Sequence, residues 1–294
     1  MSVRHAGTHF EGPLLGSNKS GAGVFEDAPI GTVDRTRSNY RVCVENFGDY
    51  DMADLTVLQT LGVTYTDINT ATAPTAVITK ETGYLLLNAG TKADSGSEFQ
   101  FNAAVTAAAV RPPFNTVGPQ TSTTTLMDGR ELFFQTRVGV SSNATAWDGK
   151  AIIGWMVTDT SLMATATGLP TVVAGGGIGF HIGEDGVLSY FAQQSAITAV
   201  PTTVTGVDLT TLAAANTFYW YDLGFRWKCT DASAGTGRVD FYLNGRKLGT
   251  AIGTDLPMQG SDVYSVTYAI YNGPAQLSDL AVESVVTGIT RAGV

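Results

Sequence analysis

Apolar and polar residues alternate along much of this chain with a period of two. Residues 131–140 (ELFFQTRVGV) put Leu132, Phe134, Thr136, Val138 and Val140 on one side and Gln135 and Arg137 on the other, the pattern of a half-buried strand. Residues 151–157 (AIIGWMV) are apolar throughout, which predicts a strand covered on both faces. Ile178, Phe180 and Ile182 alternate up to the turn Gly183-Glu184-Asp185-Gly186, and residues 187–192 return, predicting a hairpin. The clearest stretch is 218–252. In FYWYDLGFRWKCT, Tyr219, Tyr221, Leu223, Phe225, Trp227 and Cys229 share one side, with Asp222, Arg226 and Lys228 opposite. Trp220 also faces away from that apolar side. Val239, Phe241 and Leu243 then alternate with Asp240, Tyr242 and Asn244. Asn244-Gly245 supplies the dipeptide of a type I′ turn, in which both central residues take positive φ, so the chain reverses into a third strand at 246–252.

The first half is less regular but of the same kind. Strands are predicted at 41–46, 56–67, 76–79, 84–88 and 98–102, and further ones at 263–271 and 277–286. An alanine-rich run at 101–110 predicts a short helix ended by Arg111-Pro112-Pro113, and the threonine-rich segment 120–125 a surface loop. About a dozen short strands with turn signals and no long amphipathic helix indicate an antiparallel sandwich. Residues 1–35 differ. Glycines and prolines punctuate isolated apolar residues, Phe10, Leu14, Leu15, Val24, Phe25 and Ile30, that follow neither helical nor strand period. The segment reads as an extended arm anchored at those side chains, lying either over its own domain or on a neighbouring subunit. Residues 36–294 form the sandwich domain.

Composition narrows the classes of function. The chain has 294 residues, a net charge of −9 and only 15% charged residues, so much of its exterior is uncharged. An acidic balance argues against binding a phosphate backbone, which needs clustered Lys and Arg. No apolar run approaches the ~20 residues of a membrane-spanning helix, and the N-terminus has no apolar core of a cleaved signal. Neither nucleic acid nor membrane is expected as a partner. Cys43 and Cys229 are either a pair across the core or, the favoured reading, two buried reduced thiols.

The phrase WYDLGFRW…GRVDFYLNGRKLGT resembles the hairpin of concanavalin A-like jelly rolls, the lectin and laminin-G type of sandwich, in which an aromatic strand precedes a strand ending in Asn-Gly. The order GYLLLNAGTKADSGSEFQF, ELFFQTRVGVS, AIIGWMVTD, GIGFHIGEDGVLSYFAQ is similar to that of tailed-phage virion structural proteins with such a domain, including head decoration (cement) proteins. The resemblance spans about residues 80–285, and GPLLGSNKSGAGVFEDAPIG fits their extended N-terminal segments. It implies an all-β, concanavalin A-like jelly-roll sandwich with an extended arm, placed on the outer capsid surface and bound to the major capsid protein. Threefold sites on icosahedral heads would suit a homotrimer rather than the commoner dimer. Tyr219, Trp220 and Tyr242 are then candidate subunit contacts, and the arm residues candidate capsid anchors. Folds host many functions, so a carbohydrate-binding module or tail adhesin stands as the alternative.

The same sandwich also hosts glycoside hydrolases, and a retaining one needs two carboxyl groups about 5–5.5 Å apart. The Glu-x-Asp-x-x-Glu strand that the resemblance would lead one to seek does not occur. Glu45, Asp49, Asp51 and Asp54 lie around a Gly-containing turn, and Glu184-Asp185 in a hairpin turn. Glu45, Asp49 and Asp51 offer hard oxygen ligands that Ca²⁺ would accept, but a charged turn is the simpler reading. His5, His9 and His181 have no nucleophile motif beside them, and residues 175–179 (GGGIG) are a strand entry rather than a phosphate loop. Tyr219, Trp220, Tyr221 and Trp227 could stack on sugars. The expectation is a binding or structural protein, not an enzyme, that requires no cofactor and no metal.

Overall fold

Strands form where the alternation is cleanest. The computed structural model describes residues 40–47, 63–68, 76–79, 84–89, 95–101, 115–117, 131–143, 147, 149–157, 176–193, 202–208, 215–231, 236–253, 263–272 and 278–290. Sixteen strands lie among them. The first eight are β1 (Tyr40–Asn46), β2 (Val63–Ile68), β3 (Ala76–Thr79), β4 (Tyr84–Asn88), β5 (Gly96–Phe101), β6 (Asn115–Val117), β7 (Glu131–Ser142) and β8 (Gly149–Val157). The second eight are β9 (Gly177–Ile182), β10 (Val187–Gln193), β11 (Thr202–Asp208), β12 (Tyr219–Asp231), β13 (Thr236–Leu243), β14 (Arg246–Gly253), β15 (Val263–Asn272) and β16 (Ser278–Thr290). For β1, β2, β3, β6 and β11 the backbone alone is described.

Two antiparallel sheets result. The first runs β14-β13-β12-β7-β16-β4-β3, and the second β11-β10-β9-β8-β15-β5-β2. Two long strands organise them. On one side β16 pairs with β7; on the other it pairs with β4 over its first half and with β1 over its second. β15 does the same with β8 on one side and with β5 and β6 on the other. The all-β sandwich expected from the sequence is therefore the fold observed.

Inward residues of both sheets form one core. Leu85, Leu132, Phe134, Val138, Phe225, Trp227 and Phe241 from the first sheet meet Phe99, Ile153, Trp155, Phe180, Val266 and Ile270 from the second. A bulge in β16 at Glu283 keeps the register useful: Val282 pairs with Val138 and Ser284 with Arg137, so Val282 and Val285 both join the core. Beside the bulge, Thr136 donates to the Ser284 carbonyl at 2.8 Å. Its single proton being used, its oxygen accepts from Tyr268 of the opposite sheet, also at 2.8 Å. Burial pushes the Tyr268 phenol far above its ordinary range, with the Thr136 bond opposing, so it stays a neutral donor.

The structure departs from the sequence reading in burial more than in position. β7 is not half-buried. It lies centrally between β12 and β16, and only Arg137 keeps partial exposure. β8 is covered on both faces as its apolar run predicts. On its outward side Ile152 and Met156 pack with Phe191, Ala269 and Tyr271 in a second apolar cluster. The Asn244-Gly245 turn has φ of 49° and 76°, the positive pair that the dipeptide predicts. The predicted helix beyond residue 101, the loop at 120–125 and the arm at 1–35 lie outside the described residues.

Candidate functional site

The two sheets differ in their outward faces. Among the described residues, most outward positions of the second sheet are buried, including Glu98, His181 and Tyr271. On the first sheet, Tyr84, Leu86, Asn88, Arg137, Trp220, Asp222, Asp279 and Glu283 all keep partial exposure. These residues come from four adjacent strands, β12, β7, β16 and β4, and form a chemically mixed surface.

Its centre is Trp220. Gly139 pairs with Trp220 on one side and with Ala281 on the other, so the floor between β12 and β4 carries almost no side chain. A Cβ at Gly139 would stand 3.0–3.1 Å from the ring-fusion atoms of the indole, so Trp220 lies flat across that glycine. The ring meets Tyr84 at 5.7 Å between centroids and Phe218 at 5.9 Å, and Tyr84 meets Phe218 at 5.3 Å. Tyr84 packs edge-to-face against both of the other rings, which are tilted at 41° to each other, and such pairs hold the three side chains together.

Charged groups border the aromatics. The Arg137 guanidinium lies 5.7 Å from the Trp220 ring centroid, a cation–π contact. It donates to Asp222 at 3.3 Å and forms an ion pair with Glu283 at 2.6 Å, the bulged residue of β16. Burial raises the Asp222 carboxyl above its ordinary range, against the charge and hydrogen bond of Arg137. Asp222 is also held by its backbone: its N–H donates to the Asn244 side chain at 2.9 Å, and its carbonyl accepts the Asn244 N–H at 2.7 Å. The β13–β14 turn is thereby tied to one edge of the site. At the other edge Asn88 donates to Asp279 at 2.7 Å. Burial raises Asp279 too, with the Asn88 bond opposing. The Tyr84 phenol is raised first by burial and then by the charge of Asp279. The arrangement offers a planar apolar surface, fixed carboxylate acceptors and guanidinium donors. That chemistry suits a polyhydroxylated ligand with one apolar face.

The sequence-predicted residues separate into distinct groups. Trp220 faces outward as expected. Tyr219 and Tyr221 pack against the core, and Trp227 is buried within it, so only Trp220 of the four sugar-stacking candidates is presented on this face. Tyr242 is outward on β13 yet only 7% exposed. Glu184 pairs with Lys150 at 2.8 Å, and the Asp185 carboxylate accepts the Val187 N–H at 3.1 Å, the bonds of an ordinary turn. Cys229 is buried in the core, and the Cys43 side chain lies outside the described ones. Phe10, Leu14, Leu15, Val24, Phe25, Ile30, Asp49, Asp51 and Asp54 also lie outside the described residues, as does the side chain of Glu45. Among the described residues no three His, Cys, Asp or Glu side chains converge as a metal site requires.

Sequence reasoning missed Tyr84, Phe218, Arg137, Asp222, Asp279 and Glu283 as a set. Opposite charges at outward positions 137 and 222 were the signal available, because antiparallel neighbours place such pairs side by side.

No protein-family model matches the chain, and no curated protein matches it in sequence. Among solved structures it is similar to the carbohydrate recognition domain of Emp46p in its potassium-bound form, with 8% identity over 83% of this chain and 94% of that one and a TM-score of 0.49. It is similar to a protein of unknown function from Shewanella oneidensis MR-1, with 11% identity over 91% and 98% and a TM-score of 0.47. Peanut lectin with a 9mer peptide has 14% identity over 86% and 100% and a TM-score of 0.46. No residue role carries over at these identities.

Proposed function

We propose that the chain is a glycan-binding module that seats a sugar on the outward face of its first sheet. The observation that carries this reading is Trp220 lying flat over Gly139 with partial exposure. A pyranose has a face of C–H groups and a rim of hydroxyls. The face stacks on an indole, and the rim meets Arg137 and Asp222, whose positions are set by a bond already made within the protein. Such preorganisation lowers the entropic cost of binding. Calorimetric titration of the full chain with immobilisation-free oligosaccharides tests it. Trp220→Ala is expected to abolish binding while leaving the thermal transition in place, and retention of binding by that variant overturns the reading. The module binds rather than turns over its ligand; release of reducing sugar from a bound polysaccharide would refute that.

A second reading is favoured by the sequence resemblance to phage head proteins, whose phrases YLLLN, ELFFQTRVGV and AIIGWMV occupy β4, β7 and β8. In it the module is displayed on the outer surface of a capsid as a trimer, held to the major capsid protein by the arm anchors Phe10, Leu14, Leu15, Val24, Phe25 and Ile30. Tyr219, Trp220 and Tyr242 remain its candidate subunit contacts. A chain beginning near Asp34 is expected to fold yet fail to bind stripped heads. Undiminished binding by that truncation would remove the idea, and a native mass of one chain at high concentration would remove the free trimer.

A further inference from the structure

Four charged side chains border the aromatic surface, and three of them are acidic: Asp222 from β12, and Glu283 and Asp279 from β16. The fourth, Arg137 of β7, is engaged by both Asp222 and Glu283. The outward described residues of β4 contribute no charge. Three carboxylates against one guanidinium leave two negative charges, and the cation is already committed.

Asp279 is the uncompensated member. It accepts from the neutral Asn88 amide, and no cation lies within ion-pair distance of it among the described residues. Its charge is felt at the Tyr84 phenol, and the Tyr84 ring in turn touches Trp220. By register, Asp279 pairs with Ser141 of β7, two residues along from the Gly139 that lies beneath Trp220. Asp279 thus stands one strand across and two residues along from the Gly139 over which the indole lies, roughly 8 Å at ordinary strand spacing and rise, which the next ring of an oligosaccharide can reach.

We propose, resting on the glycan reading above, that the ligand class is an oligosaccharide bearing free ammonium groups, with one ring on Trp220 and an ammonium of the next at Asp279. An ammonium there gains a charge-assisted hydrogen bond from a part-buried carboxylate and the attraction of the Tyr84 ring. An acidic sugar, whether sialylated, uronic or sulfated, meets two excess negative charges, the guanidinium's own charge being already balanced by carboxylates. A neutral sugar keeps the stacking and forgoes the ion pair.

The test is calorimetric titration of the full chain at low salt with a β-1,4-linked glucosamine tetramer and with the same tetramer fully N-acetylated. The amine form is expected to bind roughly tenfold tighter, the equivalent of one ion pair with a cation–π contact, and added salt should erode the difference. Asp279→Asn, whose side-chain oxygen still accepts from Asn88, should lose the preference and keep the acetylated ligand. Asp185→Asn removes the same charge from a distant turn and should leave the preference intact, which separates a site from the general attraction of a polycation to an acidic protein. Equal or tighter binding of the acetylated tetramer, or a preference that survives in Asp279→Asn, overturns this inference while the glycan reading stands. Binding of neither tetramer overturns the inference, and failure of every other glycan as well overturns both readings.

Discussion

The hydroxyl of Tyr268 in the second sheet donates at 2.8 Å to the hydroxyl of Thr136 in the first, so a polar bond crosses the otherwise apolar core. Thr136 passes its own proton to the Ser284 carbonyl beside the β16 bulge. The two residues are not equivalent. Tyr268→Phe leaves Thr136 still donating and is expected to cost about 1 kcal/mol, the net worth of one neutral hydrogen bond. Thr136→Val strands both the Tyr268 hydroxyl and the Ser284 carbonyl and is expected to cost about 2–3 kcal/mol. Urea midpoints at an unchanged slope check the ranking, and equal losses would contradict it.

His181 gives the fold a pH dependence. It is 2% exposed, and neither ring nitrogen has a hydrogen-bond partner among the described residues. Burial, and then the charge of Lys150, lowers its pKa from 6.5 to about 3. The unfolded chain therefore binds a proton that the folded chain refuses. The stability contribution is complete above about pH 6.5 and falls as the pH drops towards about pH 3. His181→Leu should be less sensitive to acid across that window, with the difference reaching on the order of 2–3 kcal/mol near its lower end. Parallel stability–pH curves for the two proteins would refute this assignment.

Gly154 and Gly179 face each other across β8 and β9. A Cβ at Gly154 would stand 2.3 Å from the Ile178 carbonyl oxygen, and one at Gly179 would stand 2.2 Å from that of Ile153. Both obstacles are backbone, so no side chain can yield. Alanine at either position is expected to cost about 2 kcal/mol or more through a displaced strand. Thermal unfolding measures it, and a neutral substitution would mean the strands part freely.

Gly139 tests the site without touching a ligand. Valine there drives methyl groups into the Trp220 ring, whose fusion atoms stand 3.0–3.1 Å from even a single Cβ. The indole must lift from the sheet and break its contacts with Tyr84 and Arg137. We expect Gly139→Val to weaken glycan binding at least about tenfold, a loss of ~1.4 kcal/mol or more. Unaltered affinity would show that the flat pose of Trp220 is irrelevant to recognition.

Much of the fold was legible because strand alternation and turn dipeptides are local. Asn244-Gly245 announces its reversal through backbone sterics alone, and alternation from Tyr219 to Cys229 correctly turns Trp220 outward. Pairing across the sheet is not local. Tyr84 and Trp220 meet because β4 joins β16 and β12 joins β7, a neighbour order that no short window contains. The same limit explains His181, whose outward direction was readable and whose burial was not. The arm anchors illustrate another boundary, since Phe10 to Ile30 lie outside the described residues and rest on the sequence alone.

The pose of Trp220 also makes the protein its own optical reporter. The chain has four tryptophans, and the other three, Trp147, Trp155 and Trp227, are at most 3% exposed. Aqueous quenchers such as iodide or acrylamide therefore reach one indole, the one between the Arg137 guanidinium and the Tyr84 ring. Any change in the quenchable fraction of the emission on adding a ligand reads occupancy of that single face, with no label attached and no residue replaced.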